Sequence, residues 1–295
     1  MTTPGPQTPS AVDQVTLHQW YPIAAIAECR DAPGQETLLL DVPISYGVGS
    51  DGGLFASRHD GDSDQPLQTR DTHGFLWTTL GDPPHEVFAI PEMAEPDRRA
   101  FNAATLGVHT SGPRAVENFL DMGHLPFVHE GVLGEQPHTE IIDYDVDVSN
   151  GEILATKCMI YQPKAAAASD AGAMVEYTFR VPHPTCALLY KTTPVDDQRL
   201  DVIGIFIHPM REEYIRVHLF DCLLDETNSD GDIRQFQQGV VAEDKPILEN
   251  QVPKRLPLDP GAETPVRADK TGIAYRRYLM DLGITYGVIR SGGPS

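Results

Sequence analysis

The sequence predicts an α+β fold, an antiparallel sheet wrapped around a long C-terminal helix behind a reduced N-terminal β unit. Three observations carry this. Residues 139–225 run as successive strands with turn signals between them, several alternating apolar and polar side chains. Residues 229–256 and 266–287 return to helical composition and spacing. Residues 17–84 read as short strands with little apolar content, too thin for a core of their own.

Taken in order, the chain opens with "MTTPGPQTPSAVDQ", which has neither a basic n-region nor an apolar h-region. It is not a secretory signal, so residues 1–16 are expected to be a disordered lead-in and the location cytoplasmic. "LHQWYPIAAIAE" (17–28) is apolar and aromatic, and "ETLLLDVPISYGVGSDGGLFAS" (36–57) reads as short strands with glycine turns. "SRHDGDSDQPLQTRDTH" (57–73) is polar and loop-like, and "GFLWTTLGDPP" (74–84) is a strand ending in a turn. Trp20 and Trp77 are expected to pack this unit.

The middle is better patterned. Ile142, Tyr144, Val146 and Val148 alternate with Asp143, Asp145 and Asp147; "SNGE" then supplies a hairpin turn. "AAAASDAGA" (165–173) reads as an exposed loop, and "MVEYTFRVP" alternates again. "VIGIFIHP" and "EYIRVHLFDCLLD" are two further strands of a meander with one wet and one buried face. Pro246 interrupts the first C-terminal helix or opens its second half. In the last helix Ile273, Tyr275 or Arg276, and Leu279 fall near 3.6 spacing. A sheet gripping a helix leaves a cavity suited to a small, mostly apolar ligand.

Composition narrows the function. With 295 residues, 40% of them hydrophobic, the chain makes one large domain, or one domain and a smaller piece. A formal charge of −21 excludes phosphate backbones and disfavours anionic membranes. It serves solubility; docking of a basic redox partner is the other reading. No run of 18 apolar residues is present. Cys29, Cys158, Cys186 and Cys222 are scattered and form no CxxC, so a self-contained zinc or iron–sulfur site is not expected. They read as free, mostly buried thiols in a reducing compartment.

The chemistry concentrates in "ENFLDMGHLPFVHEG" (117–131). On a helix, Glu117, Asp121 and His124 fall at i, i+4 and i+7 and share a face. Five residues turn about 500°, so a regular helix would put His129 about 140° away from His124. Pro126 prevents that continuation and can bring His129 back beside His124. Two imidazoles and a distant carboxylate would form the 2-His-1-carboxylate face of non-haem Fe(II) oxygenases. Asp121 would orient His124. A bare HxxxxH reads as polar residues at a helix end; the surrounding acids in an apolar segment point to a metal.

This stretch resembles the catalytic-domain signature of the α subunits of Rieske-type non-haem iron oxygenases, E-N-x-x-D-x-x-H-x-x-x-x-H. Within them it is similar to the demethylase-like branch that includes vanillate O-demethylase. The resemblance implies a helix-grip, START-like catalytic domain, with His124 and His129 as ligands of mononuclear Fe(II). It implies Asp121 as the bridge that links the iron histidine to a Rieske-cluster histidine of a neighbouring subunit, and Glu117 and Asn118 as supporting residues. "VVAEDKPILENQ" (240–251) resembles the family's E-D-x-x-x-x-E segment, which points to Asp244 as third ligand and Glu243 as the fallback. Alone, Asp244 beside Pro246 would read as a helix-capping acid. His138, His183, His208 and His218 keep ordinary structural readings; His218 could line the cavity or face water.

One departure is large. The family's N-terminal Rieske domain carries C-x-H and C-x-x-H loops around a [2Fe–2S] cluster. Neither motif occurs between "QWYPIAA" and "GFLWTTLGDPP", and His18, His59 and His73 have no cysteine partners. The expected plan is a lead-in over 1–16, a degenerate Rieske-like remnant without a cluster over 17–95, and a catalytic domain over 96–295. Electrons from NAD(P)H would then pass through a reductase and a Rieske domain on a partner chain, as in bacterial caffeine N-demethylase systems. The expected reaction is O₂-dependent hydroxylation, or N- or O-demethylation, of a small aromatic or heteroaromatic compound, in a trimeric or mixed hexameric assembly. The alternative is a non-catalytic structural subunit of a mixed complex. A metal-free ligand carrier would not need this residue set.

Overall fold

The computed structural model describes residues 12–31, 34–60, 63–163, 172–193, 196, 198–225, 227–259 and 261–290. Most of the lead-in (1–11) and most of the "AAAASDAGA" stretch lie outside these residues. The end of the lead-in is structured, however. Asp13 caps a one-turn helix, α1 (Gln14–Leu17), by accepting from the Thr16 amide.

The N-terminal unit continues through β1 (Tyr21–Ala25), α2 (Ile26–Asp31), β2 (Gln35–Leu39), β3 (Val42–Val48), β4 (Leu54–Asp60), β5 (Ser63–Pro66), β6 (Thr69–Thr72) and β7 (Phe75–Thr78). Two small antiparallel sheets result, β1-β7-β6 and β2-β3-β4-β5. The stretch expected to be a loop at 57–73 is therefore largely strand. Every residue of β5 is exposed, so no burial pattern marked it; its pairing with β4 comes from the surrounding hairpin.

The large sheet holds seven strands in the order β8-β14-β13-β12-β11-β10-β9. These are β8 (Arg99–Val108), β9 (Asp145–Ser149), β10 (Glu152–Gln162), β11 (Ala173–His183), β12 (Cys186–Thr192), β13 (Leu200–Arg211) and β14 (Tyr214–Leu223). All pairs are antiparallel, and Asn150 and Gly151, both with positive φ (53° and 79°), turn β9 into β10. The first strand pairs with the last, so the crossover from β8 to β9 must traverse the sheet. That crossover carries α3 (Gly112–Leu120) and α4 (Leu125–Val128). After β14 come α5 (Asp230–Asn250) and α6 (Lys270–Leu282), the latter ending at Gly283 with φ 82°.

One face of the sheet packs on the helices. Tyr177, Val181, Ile205, Ile207 and Val217 join Val116 and Leu120 of α3, Leu248 of α5, and Tyr275 and Leu279 of α6. The opposite face is also covered, by Trp20, Phe75 and Trp77 of the N-terminal unit against Leu188, Phe206 and Phe220. The expectation of one wet face holds along β10 and β11 and fails for β12–β14, which are buried almost continuously. Their mostly apolar sequences are the pattern of a doubly covered strand. Ile142 and Val148 are exposed rather than inward-facing.

Two further expectations change. Pro246 neither interrupts the first C-terminal helix nor opens a second half: α5 runs its 21 residues through it without a break. His218 neither lines the cavity nor meets water: its Nδ1 lies 2.9 Å from Thr105 Oγ1, and its ring lies 5.4 Å from that of Phe75. The four cysteines are buried and unbridged. Among the described residues no helix is long and apolar enough to cross a membrane.

Candidate metal centre

The local structure around the signature differs from a single bent helix. Ser111 caps α3 by accepting from the Arg114 amide at 3.4 Å, and the helix ends at Leu120. Asp121 turns extended (φ −81°, ψ 114°), and its Oδ1 accepts from the Gly123 amide at 2.7 Å. Glu117, Asp121 and His124 therefore do not share one helix face, because an Asx turn replaces the helix between them.

Pro126 sits in the first turn of α4, where a missing N–H costs nothing. The two histidines are the flanking residues of that single turn. His124 carbonyl accepts from the Val128 amide at 2.8 Å, and the His129 amide donates to Leu125 O at 3.1 Å. A one-turn helix bounded at both ends brings residues five apart close together. Residues 130–134 fold back over it, and a Cβ on Gly134 would stand 2.7 Å from Pro126 N, so only glycine fits there.

α5 delivers the carboxylates. His124 Nε2 and His129 Nε2 lie 3.3 Å apart, and Asp244 Oδ1 lies 3.3 Å from the first and 3.1 Å from the second. Three donor atoms thus form a nearly equilateral triangle on two imidazoles and a carboxylate. His129 is buried, while His124 and Asp244 are partly buried at the cavity wall.

The outer nitrogens are held as well. Asp121 Oδ2 lies 3.2 Å from His124 Nδ1, and Glu243 Oε2 lies 2.7 Å from His129 Nδ1. Each carboxylate accepts from an Nδ1–H, which orients the ring so that Nε2 points into the triangle, where a bound ion would take the place of the Nε2 proton. The donor set fits a divalent ion: atoms 3.1–3.3 Å apart are neighbouring ligands of one ion bound at about 2.1 Å.

Electrostatics favour a cation at this point. Burial opposes charge on His124, yet its bonds to Asp121 and Asp244 outweigh burial and hold the imidazole up to about 9. His129 is raised by Asp244 and Glu243 against the same burial. Burial alone would raise Asp244, but the two histidines keep its carboxyl well below the usual range.

The remaining predicted residues are placed as follows. Glu243 does not face the triangle; it orients His129, a role the sequence did not single out. Glu117 does not reach the centre. It binds Arg114 of α3 at 3.3 Å and Arg276 of α6, and Glu263 bridges the same two arginines. Asn118 lines the walls on both sides of the centre, and its carbonyl accepts from the Asp121 amide at 3.2 Å.

The centre stands between two hollows. On the inner side is an apolar cavity of about 130 Å³, lined by Phe119, Phe179, Leu189, Ile205, Leu219 and Val241 among others. Outside is a cleft of about 260 Å³ whose wall includes the charged or titratable Asp121, His124, Arg276 and Arg277. Asp121 and His124 belong to both walls.

The profile of the vanillate O-demethylase oxygenase C-terminal domain matches residues 108–283. A probable methylxanthine N7-demethylase, NdmC, of Pseudomonas sp. (strain TJI-51) is 43% identical over 282 residues, covering 95% of this chain and 99% of that protein. Methylxanthine N1-demethylase NdmA of Pseudomonas putida is 26% identical over 214 residues, 71% of this chain and 58% of that protein. Among solved structures, P. putida CBB5 NdmA with caffeine superposes with a TM-score of 0.75 at 19% identity, covering 90% of this chain and 91% of that one. Dicamba monooxygenase bound to 3,6-dichlorosalicylic acid also gives 0.75, at 15% identity, covering 92% and 98%.

Proposed function

This chain belongs to the Rieske-type non-haem iron oxygenases, in the demethylase-like branch of vanillate O-demethylase, and from that membership we propose that it is the catalytic subunit of a two-chain demethylase. Its substrate in this reading is a small N-methylated heteroaromatic, a methylxanthine-type purine, and its metal is a single Fe(II) held by His124, His129 and Asp244. The observation that carries the reading is the triangle of His124 Nε2, His129 Nε2 and Asp244 Oδ1 at the wall of an apolar cavity.

Bound iron supplies O₂ activation for hydroxylation of a methyl carbon, which then leaves as formaldehyde. The chain's own residues do the rest. Asp121 and Glu243 hold the two imidazoles in the ligating tautomer. Phe119, Phe179 and Leu189 offer apolar walls to an aromatic ring and keep water from it. Asp121, with its side chain 36% exposed on the outer cleft, is where a donor protein can approach His124.

That donor is a Rieske domain on another polypeptide, fed by a reductase, in a trimeric or mixed hexameric assembly. Residues 17–95 contain one cysteine, Cys29, whereas a Rieske cluster takes two cysteines and two histidines. We read 17–95 as a degenerate remnant of that domain and 96–295 as the catalytic domain.

The test is iron and acid-labile sulfide analysis of protein purified anaerobically, beside His124→Ala and Asp244→Ala. About one iron per chain, no sulfide and loss of iron in both variants are expected. Release of formaldehyde from 7-methylxanthine should then require an added Rieske donor and reductase. A wild-type chain that binds no iron would leave a structural subunit of a mixed complex.

A further inference from the structure

Besides the metal centre, the apolar cavity carries a second set of polar side chains. Lys191 at the end of β12, Tyr177 on β11 and Gln237 on α5 all line it. Lys191 carries three donors, and the one bond it makes is long, 3.4 Å from Nζ to Gln162 Oε1. Gln162 in turn donates through Nε2 to Tyr177 Oη, which fixes its amide. No carboxylate among the described residues pairs with Lys191 within 4.0 Å. Burial lowers its pKa, and Asp201, its register partner on β13, offsets this only in part. The other lysine of the lining, Lys245, is already committed to Gly107 O at 2.9 Å and to Glu249.

Gln237 supplies the complementary group. Its Nε2 donates to Asp221 Oδ1 at 3.0 Å, so Oε1 is the atom it has left to accept with. Gln237 and Asp244 stand seven residues apart on α5, on one face and about 10 Å apart along its axis. Lys191 lies nearby in the sheet register: it pairs with Asp201 of β13, and Asp221, the partner of Gln237, pairs with Ile203 two residues along that strand.

A half-buried ammonium on the cavity wall, with one long hydrogen bond, has donors to spare for an acceptor. The centre already concentrates Asp121, Glu243 and Asp244, and Asp201 stands opposite Lys191 on β13. This surplus of negative charge disfavours a carboxylate ligand. A neutral ring carbonyl oxygen is the acceptor that fits, and a ring N–H beside it matches the Gln237 oxygen.

Resting on the substrate class proposed above, we infer that Lys191 determines specificity. It donates to a ring carbonyl oxygen of a neutral, lactam-type heteroaromatic while Gln237 accepts from the adjacent ring N–H, which presents the far end of the ligand to the centre.

The experiment is calorimetric titration of the anaerobic, Fe(II)-loaded full-length chain with 7-methylxanthine and with 7-methylpurine, which has the same rings without carbonyl oxygens. Lys191→Met should weaken 7-methylxanthine about 10- to 100-fold, the worth of one charge-assisted hydrogen bond. It should leave 7-methylpurine within about twofold and iron content unchanged. Lys191→Gln, which keeps a neutral donor, should fall between, and it serves if the methionine disturbs folding. Equal xanthine binding by wild type and both variants overturns the inference but not the substrate class. Wild-type protein that holds iron yet binds neither purine overturns both. Preference for dicamba, lost in Lys191→Met, would assign the lysine to a carboxylate and overturn the carbonyl reading.

Discussion

Glu243 and Asp244 are consecutive on α5 and take hold of opposite nitrogens of one imidazole: Glu243 Oε2 lies 2.7 Å from His129 Nδ1, and Asp244 Oδ1 lies 3.1 Å from His129 Nε2. One helix therefore supplies both an atom of the donor triangle and the group that aims another member of it. His129 comes from a loop crossing, and α5 from the far side of β14, so the centre exists only when both are docked.

Glu243→Gln should show what that aim is worth. The amide keeps the size but removes the charge that fixes the His129 tautomer. Loss of such a supporting carboxylate costs about 10- to 100-fold in metal affinity. Competition of the variant against a chelator of known Fe(II) affinity measures it. Because Glu243 is substantially exposed, urea unfolding of the metal-free variant should match wild type.

Arg114 ties the first helix of the crossover to its surroundings. Its fully buried guanidinium meets Glu263 at 2.6 Å, Glu117 at 3.3 Å and Pro253 O at 3.2 Å. Arg114→Met should destabilise the chain by about 3 kcal/mol, because Glu117 is left with less compensation while burial already raises its pKa. Chemical denaturation checks this. A change below about 1 kcal/mol would mean the network is replaceable.

Asp221 gives the stability a defined pH dependence. Burial, and then the negative charge of Asp201, push its carboxyl up to about 7, although the bond from Gln237 pulls the other way. The folded chain thus keeps a proton that the unfolded chain releases near pH 4. Its contribution is complete below pH 4, falls as pH rises towards 7, and is flat above. Asp221→Asn keeps an acceptor for Gln237 without titrating. The variant should gain on wild type between pH 4 and 8, by about 3 to 4 kcal/mol at most, in urea unfolding followed at several pH values.

Much of the centre is legible along the chain because its parts are local. His124, Pro126 and His129 fall within six residues, so their spacing alone points to a tight turn joining two imidazoles. Asp121 stands three residues from the histidine it orients. The strand alternation of "MVEYTFRVP" and the "SNGE" turn are local as well, and β10 and β11 form where those signals lie. Where local pattern was silent or ambiguous, the structure departs from expectation. The wholly exposed β5 carried no burial signal, and Pro246 continues α5 because its helix is held from outside by contacts such as Lys245 with Gly107 O.

By itself, then, the sequence pointed to the α+β class and, through the family its signature resembles, to His124, His129 and Asp244 as side chains that should meet, with Asp121 beside His124. Tertiary structure alone decided that Glu243 aims His129, that Glu117 belongs to an arginine network, and that Lys191 and Gln237 line one cavity. The physical reason is separation along the chain: His129 and Glu243 are 114 residues apart. Side chains that meet across strands β11 to β14 and one face of α5 meet through sheet register and helix rotation, which no local run of residues encodes.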